Sequence, residues 1–201
     1  QNFRLFYNNF VQNHNKGIMT FVNFSTTNNS ISNKVTYDET TGGRITRPEN
    51  INGNWNAMGA FMFNCSIDSA GVWNINTGAH ANYNNYVSYL SLDKKSDSQK
   101  NTTRSITWRQ NLSFSYRNDW AEFSLDGTLT YNKAKNKLQP TSNLETWQFS
   151  YGPSMTLTAP WGTSLNSSLS INSRRGYNDS SMNTDEFVWN AQLSQGFLKG
   201  K

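Results

Sequence analysis

The chain has 201 residues and a formal net charge of +5, with hydrophobic residues at 35%, charged residues at 15% and aromatics at 14%. An ordinary soluble domain is about 45–50% apolar and about 25% charged; this chain falls short of both, and Asn, Ser and Thr fill the gap. So many aromatics argue against disorder, the shortage of good helix formers argues against a helical bundle, and no run nears the roughly 18 apolar residues of a membrane-spanning helix.

Period-two alternation then runs along the chain, which is the mark of strands with two unlike faces. Candidate strands lie at about 2–11 and 17–27, where the pattern is less clean, and 30–37 reads as an extension of the second strand into a loop. Trp55, Ala57, Phe61, Phe63 and Ile67 share one face, and Asp68-Ser69-Ala70-Gly71 makes a turn. Trp73, Ile75, Ala79, Ala81, Tyr83, Val87 and Tyr89 continue the apolar phase. In 105–117, Ile106, Trp108, Leu112, Phe114 and Tyr116, with Gln110 as the exception, oppose Ser105, Thr107, Arg109, Asn111, Ser113, Ser115 and Arg117. Asn118-Asp119 closes a hairpin, after which Ala121, Phe123, Leu125, Leu129 and Tyr131 oppose Glu122, Ser124, Asp126, Thr128 and Thr130. Trp147, Phe149, Tyr151, Met155 and Leu157 follow, then a turn at Pro160-Trp161-Gly162, then Leu165, Leu169 and Ile171. The last strand carries Phe187, Trp189, Ala191, Leu193 and Phe197.

Short turns near 12–16, 68–71, 118–119 and 159–162 alternate with long polar loops near 38–52, 91–103, 136–145 and 175–184. Outer-membrane barrels have this asymmetry between their two ends. Aromatics mark both ends of the strands: Trp73, Tyr116 and Trp161, with Trp120 off the apolar phase, beside short turns, and Trp55, Tyr89, Trp108, Tyr131, Trp147 and Trp189 beside long loops. Rings with an apolar body and a polar tip favour the headgroup level of a membrane. From Trp108 to Tyr116 is about 26 Å of strand, or roughly 20 Å once tilted, near the ~25 Å apolar band of such barrels. A soluble β-sandwich also alternates. Its strands, however, are near 5–6 residues long, and its outward face needs charge for solubility.

Chemistry is sparse. His14 and His80 lie far apart, and the single cysteine, Cys65, sits on the apolar phase, so no metal or redox site is read. Asp38-Glu39, Asp93 with Asp97, and Asp179 with Asp185-Glu186 are acidic loop residues without calcium-loop spacing. No nucleophile–base pair and no cofactor motif stands out, so an enzyme is not expected. The basic residues are scattered and make no nucleic-acid face. The charges of interest are Arg109, Arg117, Glu122 and Asp126 on the polar phase of one hairpin, expected to face a lumen; cross-strand pairing is their plainer role. The adjacent pairs Lys94-Lys95 and Arg174-Arg175, at the long-loop end, are candidates for contact with anionic lipopolysaccharide.

Three stretches resemble the barrel region of the Bacteroidetes-type TonB-dependent receptors of the outer membrane. They are Gly42-Gly43 with Asn50-Ile51-Asn52-Gly53-Asn54-Trp55, Leu112–Arg117 leading to Trp120–Ser124, and the terminal Gln195–Lys201. The resemblance implies an outer-membrane receptor that takes up a nutrient with TonB and a plug domain. Such receptors have about 22 strands. This chain supplies about nine, with no plug, no TonB-box-like N-terminus and no leader after Gln1. The expectation is therefore an all-β, antiparallel up-and-down meander of about nine long strands. Residues 1–201 would form a single segment of a transmembrane outer-membrane barrel, a C-terminal-half fragment or truncated relative of a receptor. Outer-membrane lipid and lipopolysaccharide would be its partners, and Trp55, Trp73, Trp108, Trp147, Trp161 and Trp189 its interface aromatics. The alternatives are a secreted β-sandwich that binds carbohydrate, and a small structural barrel or adhesin.

Overall fold

Alternating aromatic or branched residues with Ser, Thr and Asn fit a pleated surface on which each face sees one kind of neighbour. In the computed structural model, which describes residues 1–12, 15–38, 40–92 and 96–196, such segments form eleven strands. They are β1 (Asn2–Val11), β2 (Lys16–Thr27), β3 (Ser30–Tyr37), β4 (Arg44–Ile51), β5 (Asn54–Ser66), β6 (Trp73–Leu90), β7 (Gln99–Arg117), β8 (Ala121–Asn136), β9 (Leu144–Thr158), β10 (Thr163–Arg175) and β11 (Asp185–Gln195). Nine pair antiparallel in one sheet in the order β1-β2-β5-β6-β7-β8-β9-β10-β11, and β3 pairs with β4 in a separate hairpin. The meander is as expected, and among the described residues β1 and β11 are open edges that do not pair with each other.

The loop expected at 38–52 contains β4, whose residues pair with β3 from Tyr37↔Arg44 to Ser30↔Ile51. The segment 30–37 is thus one arm of its own hairpin, separate from β2. Pro48 sits opposite Asn33 in this two-stranded ribbon, where its missing N–H disturbs only one ladder. The hairpin packs over the long-loop end of β6, taking β5's place above Asn54. The Val35 N–H donates to Ser98 Oγ at 2.7 Å, and the Tyr89 N–H donates to Ser32 Oγ at 3.2 Å. The loop expected at 91–103 is also shorter, because β7 already begins at Gln99.

Successive hairpins are staggered. The row through Asn74, at the close of β5–β6, crosses β7 at Ser115, whereas β7–β8 closes at Arg117↔Glu122. The row through Glu122 crosses β9 at Thr156, whereas β9–β10 closes at Thr158↔Ser164. From β5–β6 to β9–β10 each hairpin therefore steps in the same sense by about two residues, which at ~3.3 Å per residue and ~4.8 Å per strand inclines the strands by about 35°.

Almost nothing apolar is buried. Among the described residues, Ile51, Val87 and Ala121 are the buried hydrophobics, Ile51 being the last residue of β4. On the apolar face of β7–β9, Leu112, Phe114, Phe123, Leu125, Phe149 and Tyr151 are 37–56% exposed. Among the described residues, no second sheet covers them. The strands touch their ladder neighbours, and β3 touches β6. Towards β1 the polar face changes character: Phe6 pairs with Phe21, Asn8 with Met19, and Met19 with Met62, all on the phase that carries Asn and Ser elsewhere. This is why the N-terminal alternation reads less cleanly.

Candidate functional site

The polar face is laced by uncharged side chains at cross-strand spacing. Asn56 Nδ2 donates to Asn82 and Asn84 Oδ1, both at 2.6 Å; Thr156 Oγ1 donates to Asn166 Oδ1 at 2.8 Å; and Ser164 and Ser194 hydroxyls meet at 2.7 Å. Such pairs are the unit of sheet stabilisation. Among the described residues, no buried side-chain polar atom lacks a partner.

The four charges singled out from the sequence divide into separate places. Arg117 and Glu122 are register partners, and one guanidinium nitrogen donates to both carboxylate oxygens at 2.7 Å. They border a cavity of about 330 Å³ with Asn64, Asn74, Asn76 and Ser115. Asp126 accepts from the Ser124 hydroxyl at 2.7 Å. Arg109 is elsewhere, in a cavity of about 500 Å³ whose lining comes from five consecutive strands: Arg109 of β7, Thr130 of β8, Gln148 of β9, Arg174 of β10 and Glu186 of β11 among them. Five strands can share one cavity only if the sheet curves toward its polar face.

The pair Arg174-Arg175 does not act as one basic patch, because neighbours on a strand point to opposite faces. Arg174 is on the polar phase opposite Gln148, while Arg175 is opposite Trp147 and forms two hydrogen bonds of 2.7 Å with Asp185. Strand parity alone would have separated them. His14, Glu39, Asp93, Lys94, Lys95 and Phe197–Lys201 lie outside the described residues.

The aromatic contacts fall into two groups on the apolar face. Near the short turns, Trp73 meets Phe114 at 5.3 Å and Tyr116 at 4.6 Å between ring centroids, and Tyr116 meets Phe123 at 6.2 Å. Toward the long loops, Phe24 meets Trp55 at 5.9 Å, Trp55 stacks on Tyr83 at 4.9 Å, Tyr131 meets Trp147 at 4.3 Å, and Trp147 stacks on Phe149 at 6.3 Å. Trp108 is the register partner of Tyr131 and extends the second group. Trp161 lies in the turn itself and is 73% exposed. Trp189 is opposite Leu169, within the strand, and its indole N–H donates to Ser167 Oγ at 3.0 Å.

Charge at the long-loop end is ordered. Lys34 Nζ is 3.1 Å from Glu49 Oε2 and lies over the Tyr89 ring, whose hydroxyl donates to Glu49 at 3.1 Å. The Lys34 hydrogen bond, helped by that of Tyr89, holds the Glu49 carboxyl below its ordinary range, and Glu49 in turn raises Lys34. At the opposite end, the Trp73 N–H and then the Val72 N–H hold the Asp68 carboxyl low.

No helix among the described residues is long and apolar enough to cross a membrane, which says nothing of strands. Compared with protein-family models, with curated proteins and with solved structures, the chain matches none.

Proposed function

We propose that this chain forms part of the wall of a transmembrane β-barrel in an outer membrane, and that the barrel serves TonB-dependent uptake of a nutrient. The membrane part rests on one observation: the apolar face of the sheet stands uncovered between two groups of aromatic rings, while the other face is polar from β6 to β11 and cupped along β7–β11. Burying a Leu or Phe side chain is worth about 1.5–3 kcal/mol, so a face of such residues left in water is strongly unfavourable, and soluble monomers seldom expose so large a patch. Hydrocarbon satisfies that face, and the antiparallel ladder satisfies the backbone. The inclination of about 35° falls at the 35–45° that closed barrels require. Closure takes further strands against β1 and β11. A β-sandwich, the soluble alternative, needs a second sheet where the apolar face is bare. The TonB-dependent part is supported by the three resembling stretches.

Labelling tests the membrane reading. In a Cys65→Ser background reconstituted into lipid vesicles, Leu112→Cys and Leu125→Cys react with a lipid-soluble maleimide and resist a water-soluble one. Ser113→Cys and Thr128→Cys show the reverse. Equal water-soluble labelling on both faces, or a chain that stays in the aqueous phase as a monomer, overturns it. For the energised part, dissipating the proton gradient stops uptake by cells carrying the receptor; uptake that persists indicates a passive pore.

A further inference from the structure

We infer that the cavity shared by β7–β11 is a binding site for an acidic saccharide, one whose sugar hydroxyls accompany a carboxylate or sulfate. The site begins with two arginines in one cross-strand row. Arg109 is opposite Thr130, Thr130 opposite Gln148, and Gln148 opposite Arg174. Three strand spacings put the two arginine backbones about 14 Å apart along the sheet, and the curvature turns both side chains into the same space of about 500 Å³, a volume ordinary for small-ligand sites.

These two arginines differ from the rest of the nine-stranded sheet. Arg4 donates to Asn23 and Arg104 to Asn85, both at 3.3 Å, while Arg117 and Arg175 hold carboxylates. Among the described residues, the guanidinium groups of Arg109 and Arg174 have no hydrogen-bond or ion-pair partner. Two unpaired planar forks over a common cavity match an oxyanion, which guanidinium binds with paired N–H donors.

The remaining lining narrows the anion. Glu186 stands opposite Asn172 and brings one carboxylate against the two arginines. Positive charge therefore dominates, but a ligand that is all anion meets repulsion at β11. A hydroxylated one donates there instead. Gln148 is held in place, since its Nε2 donates to the Tyr177 hydroxyl at 2.6 Å, and Tyr177 is fixed by Asn183 through two bonds of 3.0 Å. Its amide oxygen remains to accept from a ligand hydroxyl, and Thr130 and Asn172 add donors and acceptors. Anion, hydroxyl donor and hydroxyl acceptor together describe a sugar acid or a sulfated sugar.

As a statement of substrate class this deepens the uptake reading and rests on it. Calorimetry in micelles reads binding without reference to lipid exposure, so the two ideas fail separately. The folded chain is titrated with trigalacturonate, a sulfated disaccharide, maltotriose, inorganic sulfate and a hexa-aspartate peptide. One of the two acidic saccharides binds at least about tenfold more tightly than each of the other three probes, and which one wins identifies the oxyanion. Arg109→Gln and Arg174→Gln each weaken it by roughly tenfold or more, whereas Arg117→Gln, in the other cavity, leaves it unchanged. Arg109→Lys keeps the charge without the fork and loses less, which guards against a variant that simply misfolds. Equal binding of maltotriose, sulfate as tight as the saccharide, preference for the peptide, or indifference to both glutamine variants overturns the proposal.

Discussion

Arg117 and Glu122 make the shortest well-formed ion pair of the polar face, yet their side chains are 68% and 41% exposed. Pairs so open contribute little to stability; this one sets register at the mouth of a hairpin. Asp68 has a more testable part. Its carboxylate accepts from the Trp73 N–H at 2.8 Å and the Val72 N–H at 3.2 Å, closing the β5–β6 turn. Those bonds depress its pKa, so the stabilisation is fully present above the ordinary aspartate range and is lost as pH falls through the depressed value. Amide exchange at Val72 and Trp73, corrected for its intrinsic pH dependence, therefore loses protection only in that acid window. In Asp68→Asn the window disappears. Protection that fades at neutral pH in the native chain would contradict the role given to the carboxylate.

At the scale of strands the two faces call for opposite tolerances. Leu112 is 55% exposed and lies between Thr77 and Gly127, midway from Trp108 to Tyr116 along β7. In water, Leu112→Arg would be close to neutral; at a bilayer midplane it costs about 2–4 kcal/mol. Reversible unfolding from lipid vesicles should show a loss of that size, and Ser113→Arg on the polar face should not. The strands themselves were legible because alternation is a local property. The nine expected strands are the nine of the main sheet, and the turns at 68–71, 118–119 and 159–162 fall between them. What escaped was β4. Its residues Arg44–Ile51 lack clean alternation and include Pro48, and only pairing with β3 makes them a strand. The candidate site was half legible for a related reason. Arg109 stands out on a clean polar phase, but in the sequence Arg174 pairs with its neighbour Arg175 at the loop end. That the two arginines share a cavity depends on register across four strands, which no local pattern carries.

For the whole molecule, the informative quantity is the stagger. A flat sheet or a sandwich can keep its hairpins level, whereas a sheet rolled about an axis must shear as it goes round. Here the step has the same sense from β5–β6 through β7–β8 to β9–β10, two residues at each stage. If the sheet is a stretch of barrel wall with its short turns at one water boundary, its strand axes would stand about 35° from the membrane normal. Polarised infrared spectroscopy of the chain in oriented bilayers measures this directly through the dichroism of the amide bands. A mean tilt of roughly 35–45° is expected if the sheet is a stretch of barrel wall. Strands lying flat on the bilayer would mean that the apolar face adheres to lipid without crossing it. Randomly oriented strands would mean that the edges of β1 and β11 have joined other copies into aggregates, the hazard of long unpaired edges. Only the first outcome is compatible with a polar cavity that opens along the inside of a wall.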